Sequence, residues 1–252
     1  MKLIPFILLL SLLLSGCGDS ERARQAKFFA FGTEIDVSLY GVDADTAANT
    51  VDALEQAFNN VNDTWHAWQP STLTRINQAI AKGETIDIQP QVAAVIREAT
   101  GYAEDSQHLF NPAAGKLFEL WGYHQDNWFE SRPPPAQQEI DAWLAAAPSM
   151  DDISIKDGTL RSDNKQVKLG FGGFAKGTAV DTAIAALQQQ GISHAIINIG
   201  GDLRAIGRHG DRPWRIGIRH PRKEGGMLAS VAIEGDESVF TSGDYERYFT
   251  YE

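Results

Sequence analysis

A glycine-rich segment that leads directly into a helical pattern places the strongest constraint on this chain. Residues 169–181 contain three glycines in four positions. Such a segment can take positive φ and bring a ligand against bare backbone. The apolar residues that follow recur every three or four positions and predict a helix that ends near Gly191. A helix that starts after such a turn presents unpaired N–H groups, and Lys176 in its first turn favours a bound phosphate.

The same glycines are open to three other interpretations. The spacing Gly170-x-Gly172-x-x-Ala175 fits a dinucleotide-binding fingerprint. Residues 163–168 before it are polar and mixed, whereas such a unit opens with a buried apolar strand, so a nicotinamide-dependent oxidoreductase is disfavoured. A P-loop is excluded because Lys176 precedes its glycine. The last alternative is a tight turn whose glycines only allow a strand and a helix to pack closely.

The first 17 residues are interpreted as an export signal rather than as part of the fold. Lys2 precedes an apolar run from Leu3 to Leu14, which is too short to span a membrane as a helix. The run closes with small residues before Cys17, and this ending resembles a bacterial lipobox. It implies cleavage before Cys17 and a lipid on its thiol, with an ordinary signal peptide as the alternative. Because Cys17 is the only cysteine, no intrachain disulfide can form.

The charge balance restricts the partners of the chain. The formal net charge is −11 at pH 7, which disfavours nonspecific binding to nucleic acid or to anionic lipid. Membrane association is therefore expected to depend on the lipid anchor. We expect residues 18–26 to form a polar tether and residues 27–252 to form one large domain or two lobes with a shared core.

Hydrophobic spacing predicts the elements of the first half of the chain. Strict alternation predicts one half-buried strand over residues 29–40. After an aspartate cap, an apolar stripe over residues 51–68 predicts a long helix. Ser71 is expected to cap a short helix through Ile76, and Pro90 starts another amphipathic helix.

The second half is predicted to be mostly strands. A helix over residues 137–146 leads into short strands around the turn Asp157-Gly158. After the glycine segment, strands are predicted over residues 194–199, 203–206, 214–219, 227–233 and 238–241. Residues 245–252 are expected to stop in the middle of an aromatic strand, which would leave an edge prone to self-association. We interpret this end as a truncation.

Six stretches in this order resemble one family. They are Ala30-Phe31-Gly32-Thr33, Ser71-x-Leu73-x-Arg75-Ile76-Asn77, Phe110-Asn111-Pro112-x-x-Gly115 through Leu120-Trp121-Gly122, Gly172-Gly173-Phe174-Ala175-Lys176-Gly177, Asn198-Ile199-Gly200-Gly201-Asp202 and Thr241-Ser242-Gly243-Asp244-Tyr245. Over residues 28–252 they resemble the ApbE-type FAD:protein FMN transferases. The resemblance implies an α+β fold of two interlocked lobes, with a mostly antiparallel sheet, flanking helices and a groove between the lobes that holds FAD.

The resemblance also implies an activity, a metal and a location. Members of the family use Mg²⁺ to attach FMN from FAD to a Thr or Ser hydroxyl of a partner protein, and AMP is released. Many members are exported lipoproteins. For this chain, the resemblance implies a flavin transferase that is anchored to a membrane of the bacterial cell envelope, faces the periplasm and acts on an exported acceptor protein.

Site residues follow from the same resemblance. Lys176 matches the lysine that binds the flavin nucleotide, and the Gly173 carbonyl matches a metal ligand. Trp68 matches an aromatic residue beside the nucleotide. The stretch Leu109-Phe110-Asn111 matches a further nucleotide contact, and Phe31 stands where the family often has Met.

The chain departs from the family pattern at three places. Asn111 replaces a frequent Asp and Gly170 replaces a usual Asp, so both positions lose a carboxylate. The family's histidine-bearing segment and the Asp and Thr that bind Mg²⁺ have no match before residue 252. Catalytic residues are therefore expected beyond residue 252, and the chain is interpreted as C-terminally truncated. The alternative function is a flavin-nucleotide-binding lipoprotein without transferase activity.

Other acidic and histidine side chains are expected to have ordinary roles. Asp181 is expected on a helix surface, and Asp202 and Asp244 in turns, rather than as substitute metal ligands. Isolated histidines such as His108 and His124 show no metal-ligand spacing, so we expect them to be solvated or hydrogen-bonded.

Overall fold

A computed structural model describes residues 22–127, 130–243 and 248–251 of the chain. It confirms the predicted α+β class, with helices and antiparallel sheets. The helices are α1 (Ala44–Trp65), α2 (Thr72–Lys82), α3 (Pro90–Asp105), α4 (Gly115–Leu120), α5 (Gln137–Ala146) and α6 (Ala175–Gln189). The strands are β1 (Arg24–Ala30), β2 (Thr33–Leu39), β3 (Ile86–Asp87), β4 (Ile153–Lys156), β5 (Thr159–Ser162), β6 (Ala195–Ile199), β7 (Asp202–Ile206), β8 (Trp214–Arg219), β9 (Met227–Ile233) and β10 (Glu237–Val239). Among the described residues, no helix is long and apolar enough to cross a membrane.

The chain divides into two compact units. The first unit comprises the described residues of Met1–Ala57 and Val180–Thr241, and the second comprises those of Phe58–Ala179 and Ser242–Glu252. In the first unit, five antiparallel strands lie in the order β1-β2-β6-β7-β10, and β8 pairs with β9 as a separate two-stranded sheet. Alternate residues of β2 and β6 are buried, which is why their period-two pattern could be recognised in the sequence.

The predicted single strand over residues 29–40 is wrong. The chain reverses at Phe31 and Gly32, which have φ of 55° and 67°, and β1 then pairs antiparallel with β2 so that Ala30 faces Thr33. Because Ala30 pairs with Thr33, the inward-facing positions change from even-numbered in β1 to odd-numbered in β2. Phe29 is exposed, yet its odd-numbered position continues the apolar spacing of β2 back across the turn. The pattern therefore gave no sign of the reversal.

The second unit packs α2 and α3 against β5 and the segment before α6. Leu73, Ile96, Leu160, Leu169 and Phe171 are among its most deeply buried side chains. Burial of each such side chain stabilises the fold by about 1.5–3 kcal/mol. A three-stranded antiparallel sheet in the order β3-β5-β4 belongs to the same unit.

Helix α2 confirms its predicted cap but extends past its predicted end. The Ser71 hydroxyl accepts a hydrogen bond from Thr74 N at 3.0 Å, and the Thr74 hydroxyl accepts one from Ser71 N at 2.9 Å. The helix continues beyond Ile76 to Lys82, where Gly83 ends it with φ of 77°. The longer helix buries Ile80 on the same face as Leu73 and Ile76.

The strand expected at the end of the sequence is wrong for the residues that can be described. Residues 248–251 are not in a strand. The Phe249 ring lies 6.5 Å from the Trp121 ring and 5.9 Å from the Tyr123 ring, with the Arg132 guanidinium 5.6 Å from its centroid. These ring contacts are found where the sequence had suggested an uncovered aromatic strand edge. Residues 244–247 and 252 lie outside the described residues.

Candidate functional site

A buried amide joins α2 to the segment that precedes the glycines. Asn77 lies on the buried face of α2, and its Nδ2 donates to the Leu169 carbonyl at 2.9 Å. Its Oδ1 accepts from Leu169 N at 2.7 Å. One side chain thus satisfies both backbone polar groups of a residue that is 92 positions away in sequence.

A second backbone contact fixes the same segment from the other side. Gly115 N donates to the Lys168 carbonyl at 2.8 Å, and Gly170 N donates to the Pro112 carbonyl at 2.9 Å. A Cβ on Gly115 would lie 2.5 Å from the Lys168 carbonyl oxygen, so only glycine allows this approach. Two stretches that the resemblance singled out therefore meet residues 168–170 in the second unit, and these residues lead directly into the third stretch.

The glycine segment leads into α6 as predicted. Helix α6 begins at Ala175, which places Lys176 in its first turn. Phe174 N and Ala175 N both donate to the Phe171 carbonyl, at 2.9 and 2.7 Å. The segment thus turns tightly into the helix, and the first turn can offer N–H groups to an anion.

The expectation of positive φ in this segment is wrong. Gly170, Gly172 and Gly173 are absent from the described glycines that have positive φ. A Cβ on Gly172 would meet no atom within 4 Å, and a Cβ on Gly173 would lie 3.9 Å from the Phe110 ring. The missing side chains at these positions leave the backbone uncovered, so access for a ligand, rather than backbone conformation, is what glycine provides here.

The three residues Leu109, Phe110 and Asn111 have different environments. Phe110 and Gly173 line one cavity of about 450 Å³, together with Tyr102 and Phe174. Leu109 is 91% exposed. Asn111 is committed to the local fold, because its Nδ2 donates to the Pro148 carbonyl and its Oδ1 accepts from Ala113 N, both at 2.9 Å. Nucleotide contact by these residues remains a prediction.

Trp68 is held at the surface between α1 and α2. It is 39% exposed, and its indole Nε1 donates to Asp126 Oδ1 at 2.8 Å. Its ring is nearly parallel to the His124 ring, at 6.0 Å and 25°, and meets the His66 ring edge-on at 4.6 Å and 76°. Trp68 lines two cavities of about 580 and 330 Å³. A fixed, partly exposed indole offers a face on which an aromatic ligand can stack.

His124 differs from the expected solvated or hydrogen-bonded histidine. Its Nδ1 is buried and has no hydrogen-bond partner among the residues that the structure describes. Burial and, secondarily, the positive charge of Lys168 lower the pKa of His124 to about 4, while the Glu119 carboxylate opposes this change. The imidazole is therefore neutral at pH 7. His108 fits the expectation better, because its Nε2 lies 3.5 Å from an Asp151 carboxylate oxygen.

The neutral state of His124 makes folding dependent on pH. Because the folded pKa lies below the usual 6.5, the unfolded chain binds the proton first, and the stability that this histidine contributes is lost as pH falls from 6.5 towards 4. Allowing for partial exposure, we expect the unfolding free energy to fall by about 1–2 kcal/mol more in the wild type than in His124→Phe between pH 7 and 4.5. Denaturant unfolding at a series of pH values checks this, and parallel curves for the two proteins would contradict it.

The acidic residues dismissed as metal ligands have other roles where they are described. Asp181 accepts from the Arg204 guanidinium at 2.6 Å on the surface of α6, as expected. Asp202 is the first residue of β7, and Asp244 lies outside the described residues.

The described residues do not form a complete magnesium site. Gly173 shares its cavity with one carboxylate residue, Asp105. Over residues 22–127, 130–243 and 248–251, no three His, Cys, Asp or Glu side chains form a group that could hold a metal ion. Mg²⁺ normally needs several oxygen ligands in octahedral geometry, which one backbone carbonyl does not supply.

Residues of three other motifs, among them Thr241, lie together in the first unit, which is also where Phe31 lies. In the β6–β7 turn, a Cβ on Gly200 would lie 2.6 Å from the Thr33 hydroxyl oxygen, and one on Gly201 would lie 3.4 Å from the Thr241 Cβ. Gly200 and Gly201 have φ of 59° and 104°. Close approach and positive φ both require glycine at this turn, in contrast to the segment before α6.

Known proteins resemble this chain over most of its length. A FAD:protein FMN transferase of Rhodobacter capsulatus is 39% identical over 226 residues, which cover 88% of this chain and 42% of that protein. A FAD:protein FMN transferase of Vibrio cholerae is 29% identical and covers 94% of this chain and 71% of that protein. The chain thus spans less than half of the Rhodobacter relative.

Solved structures share the fold. The crystal structure of the ApbE protein of Thermotoga maritima has a TM-score of 0.79 with this chain at 27% sequence identity. The match covers 91% of this chain and 73% of the Thermotoga chain. The flavin transferase ApbE of Vibrio cholerae has a TM-score of 0.73 at 26% identity, covering 90% and 74%. The model of the ApbE family matches residues 31–252. The chain belongs to the ApbE family.

Proposed function

We propose that this protein transfers FMN from FAD to a Thr or Ser hydroxyl of a partner protein, with Mg²⁺, and releases AMP. The observation that carries the proposal is the meeting of the Asn77, Gly115 and glycine-segment motifs beside the start of α6. Relatives over most of the chain are named FAD:protein FMN transferase. Because the chain spans only part of those relatives, the activity is a proposal for this protein.

The proposed reaction is a phosphoryl-type transfer. The acceptor hydroxyl oxygen bonds to the phosphorus of the FMN half of FAD, and the bond from that phosphorus to the bridging oxygen breaks. AMP leaves with the bridging oxygen, and the hydroxyl proton passes to a base. Such transfers depend mainly on positioning and on stabilisation of negative charge.

The chain's own residues supply two parts of this function. The first turn of α6 and Lys176 provide N–H groups and a cation for a phosphate. The Trp68 indole provides a stacking face for a flat ring. Only the family resemblance supports the magnesium requirement. No step of the reaction is assigned to the metal from the described residues.

The activity is tested with the full chain, FAD, Mg²⁺ and a peptide that contains one threonine. We expect a peptide whose mass increases by one FMN moiety, with AMP formed in equal amount. A peptide with Val in place of the threonine is the matched control, and EDTA tests the metal requirement. Bound FAD without a modified peptide would favour the alternative function, a flavin-nucleotide-binding lipoprotein.

We also propose that the protein is an exported lipoprotein that faces the periplasm and modifies an exported acceptor. The support is the apolar run that ends at Cys17, and these residues lie outside the described part of the chain. The rest of the chain is strongly acidic and would not bind anionic lipid by charge, so membrane attachment would depend on the lipid anchor.

Replacing Cys17 by Ser is expected to leave an unprocessed precursor. A lipobox requires the cysteine thiol for lipid attachment, and cleavage follows that attachment. Mass spectrometry of the membrane fraction checks the result, with Ser20→Ala as a control outside the predicted cleavage site. Normal processing of Cys17→Ser would show that an ordinary signal peptidase acts at another position.

A further inference from the structure

The rings of Trp68, His124 and Phe118 are stacked in series in the second unit, and His124 stacks with both of the others. The Trp68 and His124 rings are 6.0 Å apart at 25°, and the His124 and Phe118 rings are 6.2 Å apart at 20°. Phe118 lies on α4, whereas Trp68 lies in the connection between α1 and α2. His124 therefore connects the indole to a regular element of the fold.

Other contacts restrict Trp68 in the remaining directions. Asp126 accepts the hydrogen bond of the indole Nε1 at 2.8 Å. The His66 ring meets the indole edge-on, and His66 Nδ1 also accepts from Gln69 N at 3.1 Å. The indole is thus fixed by a hydrogen bond at its edge and by an aromatic ring against its face.

The glycine segment passes close to the same histidine. A Cβ on Gly170 would lie 3.8 Å from His124 Cε1 and 4.0 Å from Nε2. Since Gly170 N is held by the Pro112 carbonyl at 2.9 Å, this part of the segment has a fixed position. His124 consequently lies between the stacking face of Trp68 and the backbone that leads to Lys176.

Burial first, and then the positive charge of Lys168, lower the pKa of His124, so its ring is uncharged at pH 7. Lys168 and Glu119 face it and form an ion pair with each other at 2.7 Å, and Asp126 is engaged by Trp68. A neutral imidazole can stack between aromatic rings without the cost of burying a charge.

We propose that His124 is a positioning residue that fixes the plane of the Trp68 indole for stacking against the isoalloxazine ring of the flavin. The inference rests on the proposed function for the identity of the stacked ring. It assigns a role to a residue that the family motifs leave out, and it predicts that flatness and aromaticity at position 124, rather than proton transfer, are what matters.

The test compares His124→Ala with His124→Phe in the full chain. His124→Ala is expected to raise the FAD dissociation constant by about 2- to 12-fold, the range that one aromatic pair supports. It should also remove the long-wavelength absorbance of an indole–flavin charge-transfer pair. His124→Phe should keep both, because a phenyl ring of similar shape replaces the imidazole. His108→Ala is the matched control for loss of a histidine elsewhere in the same unit.

A measurement without flavin separates the two proposals. With 5-fluorotryptophan incorporated and the Trp68 signal assigned by Trp68→Phe, the ¹⁹F resonance of Trp68 should shift in His124→Ala and stay near the wild-type position in His124→Phe. An unchanged resonance in His124→Ala would overturn the positioning role, whether or not FAD binds. A shifted resonance in a protein that does not bind FAD would support the positioning role and overturn the proposed function.

Discussion

Replacing Asn77 by Leu is expected to lower the free energy of unfolding by about 2–6 kcal/mol and to abolish FAD binding. The leucine side chain fills a similar volume but cannot pair with the N–H and C=O of Leu169, whose contacts with Asn77 measure 2.7 and 2.9 Å. Each buried backbone group that loses its partner costs about 1–3 kcal/mol. Loss of both contacts should also release the segment that leads to the glycines, which is why binding is expected to fail as well.

Denaturant unfolding of the full chain measures this effect, and Gln78→Leu is the matched control. Gln78 is the next residue on α2 and is exposed, so the same substitution there should change the unfolding free energy by no more than about 0.5 kcal/mol. If Asn77→Leu proved as stable as Gln78→Leu, the amide would not be what holds Leu169 in place. If Asn77→Leu were destabilised but still bound FAD normally, the glycine segment would keep its geometry without this contact.

The importance of Asn77 could have been recognised in the sequence. Leu73, Ile76, Asn77 and Ile80 follow the spacing of one helix face, and three of the four are apolar. A polar residue on a buried face must find hydrogen-bond partners inside the protein. The signal shows that Asn77 has a structural partner, but its identity, Leu169, depends on tertiary packing and could not be derived from spacing.

Elements with a clear hydrophobic spacing were predicted well. The backbone angle φ at individual residues was not. The predicted positions of α5 and of strands β8 and β9 match the structure. The turn at Phe31 was missed because a non-glycine residue adopts φ of 55° there. Conversely, positive φ was expected in the glycine segment, where glycine serves to leave space instead.

The parts of the candidate site that have a local sequence signal were predicted, and the parts that depend on tertiary packing were not. Lys176 was placed in a helical first turn from a glycine signal and a helical stripe, and both are local. His124 was missed because its environment comes from Trp68, Phe118 and Gly170, which lie far from it or on different elements. A single histidine without a spaced partner carries no sequence signal of burial.

Replacing Lys176 by Ala is expected to weaken FAD binding by about 10- to 150-fold. A charge-assisted contact between an ammonium and a phosphate contributes about 1.5–3 kcal/mol, and each 1.4 kcal/mol corresponds to a tenfold change in the dissociation constant. The free energy of unfolding of Lys176→Ala, measured without FAD, separates a ligand contact from a structural one. Loss of binding with unchanged stability would identify a ligand contact.

Titration of the full chain with FAD measures the effect of Lys176→Ala, and two variants control it. Lys176→Arg keeps the positive charge and should bind FAD more tightly than Lys176→Ala. Lys82→Ala removes an exposed lysine from the last turn of α2 and should leave binding unchanged. If Lys176→Ala bound FAD as tightly as Lys82→Ala, the start of α6 would not be a phosphate site. The glycines before it would then serve only to let the chain turn tightly into the helix.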